Sequence, residues 1–456
     1  MENIHALILA AGDGKRMKSK HPKVLCRVLF KPMIRWVADA CAESGIESLA
    51  VIVGEHGDEI SAVLPDSVSF FVQKERLGTA HAVMCAREFL EKNGGDTLVL
   101  CGDAPLIDAE VIRDSLKLHR ERHNAVTVIT AEVNDPGSLG RIVRNGDRVK
   151  GIVEARDCTP EQLKIREINS GAYWFDTKKL LEVLGRIGHD NAQQEYYLTD
   201  SLRLLSEAGE AVGGFVAADA DITLGANDRK DLCRLNEIAR RKIIEKHMAN
   251  GVEFVNTDGI LIGADVEIGR DTAILPGTIL RGKVVIGEDC VIGPDTLIEN
   301  STVGDGCRID ACRIYQSTLH NGVTMGPFCH IRPNTEICNG VHIGDFVEVK
   351  NSVIGDETHI AHLTYVGDSD VGKKVNFGGG VITVNYDGKY KHRTTVGDRA
   401  FIGCNSNLVA PVKLGCRCFT AAGSTITEDV PDNSLAIARN RQVNKIGWME
   451  HKEMKD

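Results

Sequence analysis

Residues 262–298 read IGADVEIGRDTAILPGTILRGKVVIGEDCVIGPDTLI, with an aliphatic residue at every sixth position: Ile262, Ile268, Ile274, Leu280, Ile286, Ile292 and Ile298. A helix repeats its apolar side every 3.6 residues and a half-buried strand every two, so a step of six fits neither. It fits a coil of three flat faces, one hexapeptide each, closing a triangular turn whose aliphatic side chains point inward and stack on neighbouring coils. The spacing shortens by one at Val303 and resumes at Ile309. It returns as Leu319, Met325, Ile331, Ile337 and Ile343, then Ile354, Ile360 and Val366, and last as Val396, Ile402, Leu408, Leu414, Thr420 and Ile426. Antiparallel hairpins have no fixed six-residue step, so residues 251–456 are expected to form a left-handed parallel β-helix, a prism of short strands about 4.8 Å apart. The Gly, Asp or Asn that often follows the aliphatic residue is assigned to the corner. Residues 382–395, ITVNYDGKYKHRTT, break the hexads and are expected to loop out, where a loop on a rigid scaffold reaches a neighbour or a ligand.

Upstream the texture differs. Short apolar runs, among them Ala6-Leu7-Ile8-Leu9, Leu49-Ala50-Val51-Ile52-Val53, Leu98-Val99-Leu100-Cys101 and Val126-Thr127-Val128-Ile129, alternate with amphipathic stretches. That is the α/β pattern of a mostly parallel, Rossmann-like sheet with helices on both faces. Residues 228–249, DRKDLCRLNEIARRKIIEKHMA, carry helical periodicity and end at Asn250-Gly251, a helix stop. The expected division is therefore 1–227 for the α/β domain, 228–250 for a linker helix and 251–456 for the β-helix with its C-terminal tail.

The totals narrow the function classes. A chain of 456 residues exceeds the usual single-domain range and has room for two sites. No apolar run is long enough to span a bilayer, and MENIHALILAAG lacks a basic leader and a cleavage site, so a cytoplasmic location is expected. Fourteen scattered cysteines without paired CxxC spacing read as reduced, mostly packed thiols. A formal charge of −10 speaks against nucleic acid as a partner and leaves small anions held by local basic residues.

After the first strand comes Leu9-Ala10-Ala11-Gly12-Asp13-Gly14-Lys15-Arg16-Met17, then Pro22-Lys23-Val24-Leu25. Glycines admit a phosphate close to the backbone, while Arg16 and Lys23 supply charge. A bare strand-to-helix turn would need the glycines but not this basic spacing. The whole string resembles the signature of nucleotide-sugar pyrophosphorylases, in which a sugar 1-phosphate attacks the α-phosphate of a nucleoside triphosphate. The resemblance implies that Leu9, Ala10, Ala11, Gly12 and Lys23 hold UTP, with Arg16 catalytic, and that Gln73 and Gly78-Thr79 read the uracil. It places Gly140, Glu154 and Asn169 on the sugar and makes Asp103 and Asn227 ligands of Mg²⁺. One carboxylate and one amide oxygen suit an ion that keeps waters and takes phosphate oxygens. Asp103, at a strand end, has helix capping as its alternative role. Lys15 stands where that family carries Thr.

The prism carries its own polar set: Arg332, Lys350, His362, Tyr365, Asn376, Asn385, Tyr386 and Lys391. Position by position these resemble the acetyltransferase site of the bifunctional N-acetylglucosamine-1-phosphate uridylyltransferase / glucosamine-1-phosphate acetyltransferase family, and with the N-terminal motifs the likeness runs from about residue 5 to 445. It implies His362 as general base, the one side chain poised for proton removal at neutral pH. Arg332, Lys350, Tyr365, Asn376 and Lys391 are implied around the acceptor sugar phosphate, and Gly379, Asn385, Tyr386, Cys404, Ala422 and Arg439 around acetyl-CoA. It further implies a homotrimer and a product that feeds bacterial cell-wall precursor synthesis. Gly379, Val381 and Cys404 replace the family's Ala, Thr and Ser. Two other readings are a monofunctional nucleotidyltransferase with a structural or allosteric tail, which has no need of the His362 set, and a non-enzymatic assembly subunit, which has no need of Asp103 with Asn227.

Overall fold

The computed structural model describes residues 3–450 and 452 apart from Asp13, Asp147 and Ala192, so Asp13 of the glycine-basic string lies outside the described residues. Two compact units, Met1–Arg241 and Lys242–Asp456, divide the chain.

In the first unit the strand Ile4–Ala10 lies between Ser48–Val53 and Asp96–Cys101, parallel to both. The sheet continues through Ser69–Val72 on one side and through Glu167–Asp176, Val126–Glu132 and Val212–Val216 on the other. Glu167–Asp176 runs antiparallel to both its neighbours. Alternation along the strands explains the continuous apolar runs. Ala6, Ile8, Leu98 and Leu100 join one core with the helix Met33–Glu43, whereas Leu7 and Val99 join another with Thr79–Cys85 and Arg87–Asn93. A sheet buried on both faces needs no polar side.

The helix Arg229–Ala249 begins where the Asp228 carboxylate accepts from the Lys230 and Asp231 amides, at 2.8 and 3.0 Å. It ends at Gly251 with φ 87°, where the Val252 amide donates back to the His247 carbonyl. That left-handed stop is a conformation glycine adopts without penalty.

The second unit is the left-handed parallel β-helix, with three sheets of 11, 10 and 9 short strands among the described residues. Up to the last coil each strand pairs in parallel with the one three strands later, one coil on. One inward ladder runs Ile274, Ile292, Ile309, Met325, Ile343, Ile360, Phe377, Ile402, Thr420, and none of its members is more than 4% exposed. Burying each such aliphatic side chain contributes roughly 1.5–3 kcal/mol.

Two expectations change in detail. The glycine after the aliphatic residue is kept by crowding rather than by the corner. A Cβ at Gly269 would sit 2.6 Å from Gly287 of the next coil, and one at Gly403 would sit 2.6 Å from the Ala422 amide. The left-handed corner lies two or three residues past the aliphatic, at Asp271, Asp289 and Asn300, with φ 59°, 57° and 47°. The interruption is also shorter than its polar composition suggests. Ile382–Val384 and Thr394–Val396 remain strands of the prism, and only residues 385–393 project, closed by a Tyr386–Lys391 bridge and a 2.9 Å bond from the His392 amide to the Asn385 carbonyl. Alternating Thr-Thr and Ile-Thr-Val satisfy a strand as well as a loop, because their β-branched side chains fit a pleated surface.

Candidate active sites

At the carboxyl edge of the first sheet the glycine-basic loop folds back on itself. Gly14 is left-handed, φ 58°, and a Cβ there would meet the Lys23 Cβ at 2.6 Å, so glycine lets the loop close on Lys23. The Lys23 ammonium pairs with the Asp103 carboxylate, and an Arg16 Nη2–H donates to the Asn227 Oδ1 at 3.1 Å. The Ala226 amide donates to the Asp103 carbonyl at 3.2 Å, so strand end, loop and helix start converge on one spot. The two acceptor oxygens expected to hold a cation are thus near each other, each facing a basic side chain. Among the described residues no group of three or more His, Cys, Asp or Glu side chains is arranged to hold a metal. A carboxylate and an amide oxygen are the hard donors that Mg²⁺ accepts alongside water and phosphate, so the residues fit that ion.

Beside this cluster a cleft of about 460 Å³ is lined by Leu9, Arg16, Thr79, Glu154 and Asn169, and by Tyr173 and Tyr197, which the motifs did not single out. Asn169 is set by its neighbours: its Nδ2–H donates to the Tyr173 hydroxyl at 2.7 Å and its amide to the Gly140 carbonyl at 3.0 Å. A Cβ at Gly140 would reach Ile152 at 3.0 Å and the Glu154 carboxylate at 3.5 Å, so glycine keeps this wall open. Burial, reinforced by Asp157 and Asp200, pushes the Glu154 carboxyl above the ordinary carboxylate range. Gln73 lies outside this lining, 5% exposed, with its Nε2–H groups on the Gly78 carbonyl and His81; it braces the Gly78 turn. That turn passes tightly under Tyr196, whose carbonyl would stand 2.6 Å from a Gly78 Cβ. Ala10, Ala11 and Gly12 line a separate cavity of about 80 Å³.

On the prism, the strand His359–His362 ends at a corner where Asp345, one coil earlier, accepts from the His362 Nδ1 at 2.9 Å. This hydrogen bond holds the Asp345 carboxyl below the usual range. The chain then turns into Tyr365–Gly367 on the adjoining sheet. The Asn385 Nδ2–H reaches the Tyr365 hydroxyl at 3.3 Å and also the Asp368 carboxylate. Lys391, from the projecting hairpin, lies beside Lys350, and its ammonium holds the Lys350 amine below the ordinary lysine range. Arg332 is ion-paired to Glu348 at 2.8 Å. Two crowded amines and a guanidinium, set against the Glu348 and Asp368 carboxylates, leave the group with one positive charge in excess.

Not every expected residue joins this group. Asn376 pairs with His359 and Phe401 on the sheet of the His362 strand, one coil further on. Tyr386 is 57% exposed on the hairpin, its hydroxyl donating to the Gly388 carbonyl. Gly379, Cys404 and Ala422 follow one another along a corner. The Gly380 amide donates to the His362 carbonyl, the Asn405 amide to the Gly379 carbonyl, and the Gly423 amide to the Cys404 carbonyl. With coils about 4.8 Å apart, this column climbs roughly 14 Å from His362. Arg439 stands at its far end, its Cδ 3.8 Å from a Gly423 Cβ.

Comparison with known proteins bears on the whole length. A nucleotidyl transferase family model matches residues 5–226, a bacterial transferase hexapeptide model residues 265–300, and a model described as GlmU-like, C-terminal hexapeptide, residues 294–378. The protein named Bifunctional protein GlmU from Caldanaerobacter subterraneus subsp. tengcongensis is 50% identical over 454 residues, 99% of each chain. The chain belongs to the GlmU family. Relatives of the same name from Acetivibrio thermocellus and Thermoanaerobacter pseudethanolicus are 46% and 49% identical, again over at least 99% of both chains. It is an enzyme of the bifunctional GlmU type, so both halves carry chemistry. No helix among the described residues is long and apolar enough to cross a membrane.

Two residues that sequence reasoning missed belong to the His362 and Tyr365 group of the prism. Asp345 orients the His362 imidazole from a coil 17 residues away, which hexad spacing alone cannot single out because corner aspartates abound. Gly367 lies under the Tyr365 ring: a Cβ there would stand 2.5 Å from Cζ and 2.8 Å from Cε1. Its signal was present in TYVGD, a glycine two residues after an aromatic on the same face of a strand.

Proposed function

We propose that the chain makes UDP-N-acetylglucosamine in two steps, acetylating glucosamine 1-phosphate on the prism and uridylylating the product at the edge of the α/β sheet. The observation that carries the reading is the pairing, on one chain, of the Lys23–Asp103 and Arg16–Asn227 cluster with the His362–Asp345 and Lys350–Lys391 groups. A passive tail has no use for an oriented imidazole or for a lysine held below its ordinary range by a second lysine brought to it from the hairpin.

In the acetyl step, the Lys350 and Lys391 ammonium groups and Arg332 take the phosphate dianion, whose charge relieves the repulsion between the amines. The Asp345 carboxylate fixes the Nδ1–H tautomer, which leaves the His362 Nε2 lone pair to remove a proton from the acceptor amine. The amine nitrogen bonds to the thioester carbonyl carbon, the C–S bond breaks, and coenzyme A leaves as its thiol. The corner column of Gly379, Cys404 and Ala422 accommodates the coenzyme arm, Asn385 and Tyr386 contribute to the same ligand from the base of the hairpin, and Arg439 faces its phosphates. Asn376 belongs to the acceptor end.

In the uridylyl step, a phosphate oxygen of N-acetylglucosamine 1-phosphate bonds to the α-phosphorus of UTP and pyrophosphate leaves. Leu9 to Gly12 lie against the nucleotide, Gly78 and Thr79 face the uracil on the turn that Gln73 braces, and Gly140, Glu154 and Asn169 hold the sugar. Arg16 and Lys23 neutralise charge on the reacting phosphates, with positioning as the main contribution. Asp103 and Asn227 would hold Mg²⁺, which when bound supplies further charge neutralisation.

The chain works as a homotrimer in the cytoplasm. Phe328, Phe346 and Leu363 support the assembly, standing on successive coils at one corner, 55–64% exposed and left-handed, as an apolar ridge next to His362 that another copy would cover. The test is product analysis of the purified chain. With glucosamine 1-phosphate, acetyl-CoA, UTP and Mg²⁺ it forms UDP-N-acetylglucosamine; EDTA leaves N-acetylglucosamine 1-phosphate as the end product. Failure to acetylate glucosamine 1-phosphate under either condition refutes the proposal.

A further inference from the structure

A third cavity, of about 400 Å³, borders the glycine-basic loop, and the two-step reaction does not use it. Its size is that of a small-ligand site. Its apolar lining is Leu25, Cys26, Pro32 and Val63, drawn from the loop and from the segment after the Gly57–Ser61 helix. Its polar lining is Arg27, Arg229, His21 and Ser19.

The charge balance of this cavity is unusual for the molecule. In a chain of net charge −10, no carboxylate lines it. Among the described residues neither Arg27 nor Arg229 forms an ion pair. Among the described residues the Arg229 side chain makes one hydrogen bond, from Nε to the Met17 carbonyl at 3.2 Å, which leaves its terminal nitrogens for a ligand. Glu59, outside the lining, accepts from the His21 Nδ1 at 2.7 Å and also meets His56 at 3.2 Å, so it is engaged by the histidines. Guanidinium groups without acidic partners, set beside an apolar surface, recognise an anion that carries an apolar body.

We propose that this cavity is an effector site for a small organic anion, with its apolar part on Leu25, Pro32 and Val63 and its carboxylate or phosphate on Arg27 and Arg229. The site is placed to be felt at the loop. Ser19 and His21 line both this cavity and the one beside Ala10–Gly12, and Arg229 holds the Met17 carbonyl one residue from Arg16. An occupant therefore bears on the segment that presents Arg16 and Lys23.

Phenyl phosphate is a suitable probe, titrated into the full-length protein by ligand-observed NMR. Binding is expected to be saturable in the wild type, at least tenfold weaker in Arg27→Gln and in Arg229→Gln, and lost in Val63→Trp, which fills the apolar part without touching a charge. It is expected to survive Lys23→Ala, which separates this site from the nucleotide site. In the uridylyl assay, saturating probe shifts the UTP KM of the wild type at least twofold and leaves that of Arg27→Gln unshifted. Far-UV circular dichroism establishes that each variant is folded; if Val63→Trp is not, the two arginine variants decide. The proposal is overturned by absence of saturable binding, by binding that disappears in Lys23→Ala but persists in both arginine variants, or by a KM shift that Arg27→Gln retains.

Discussion

Replacing Gly367 with alanine tests how closely the prism positions its reacting groups. The backbone at Gly367 is not left-handed, so the substitution brings no conformational strain. What changes is space: the new Cβ would stand 2.5 Å from the Tyr365 Cζ and 2.8 Å from Cε1, with the hydroxyl nearer still. Relief requires the phenol to retreat by about 1 Å, a displacement of the size that costs an active site on the order of 10²-fold in rate. Moving the hydroxyl also breaks its 3.3 Å contact with the Asn385 Nδ2. The stability cost falls on the second unit and is about 1–3 kcal/mol, the usual range for overpacking. The assay is paired: thioester-dependent acetylation of glucosamine 1-phosphate and, on the same preparation, pyrophosphate release from UTP and N-acetylglucosamine 1-phosphate. Acetylation should fall by about two orders of magnitude while uridylyl transfer stays within twofold. Acetylation at wild-type rate, or an equal fall in both, would refute the positioning role given to Tyr365.

Two further substitutions probe the scaffold. Ile343→Ala removes a fully buried member of the inward ladder and should lower the stability of the β-helix by roughly 2–5 kcal/mol, read from its urea midpoint; a change under 1 kcal/mol would mean the coils do not stack through this residue. His5 is 1% exposed at the edge of the first sheet remote from Asp103, with its Nε2 on the Thr97 hydroxyl, and burial, opposed by Asp96, lowers it to about 4. Because the unfolded chain takes up the proton first, the stability of the first unit should be full above pH 6.5 and decline as pH falls toward 4, by at most about 3 kcal/mol from this group. His5→Gln should flatten the decline of the denaturant midpoint between pH 7 and 4.5, and an unchanged decline would assign it to other groups.

Much of this architecture could be read from spacing. A period of six leaves one solution for residues 262–426, because only stacked triangular coils return an aliphatic side chain to the same column at that step. The α/β unit was legible as apolar runs with no polar face. What spacing could not supply was contact between distant segments. Lys23 meets Asp103, and Arg16 meets Asn227 across 211 positions, through sheet topology that no local pattern encodes. The role of Asp345 depends on which corner it occupies, and the hairpin boundary depends on whether Thr394 and Thr395 pair with Ser369 and Asp370, which they do. Glycine roles divide in the same way: Gly251 was legible as a helix stop, whereas Gly269, Gly367 and Gly403 are set by neighbours one coil away or across a strand.

The central claim is that one chain holds two chemically independent sites, and crossed single substitutions test it most directly. His362→Ala and Asp103→Ala are each assayed for acetyl and for uridylyl transfer. The account predicts that His362→Ala loses acetyl transfer by at least about 10²-fold, the contribution of a general base, with uridylyl transfer near wild type. Asp103→Ala should show the reverse. Loss of both activities in either folded variant, or full acetyl transfer in His362→Ala, would contradict it.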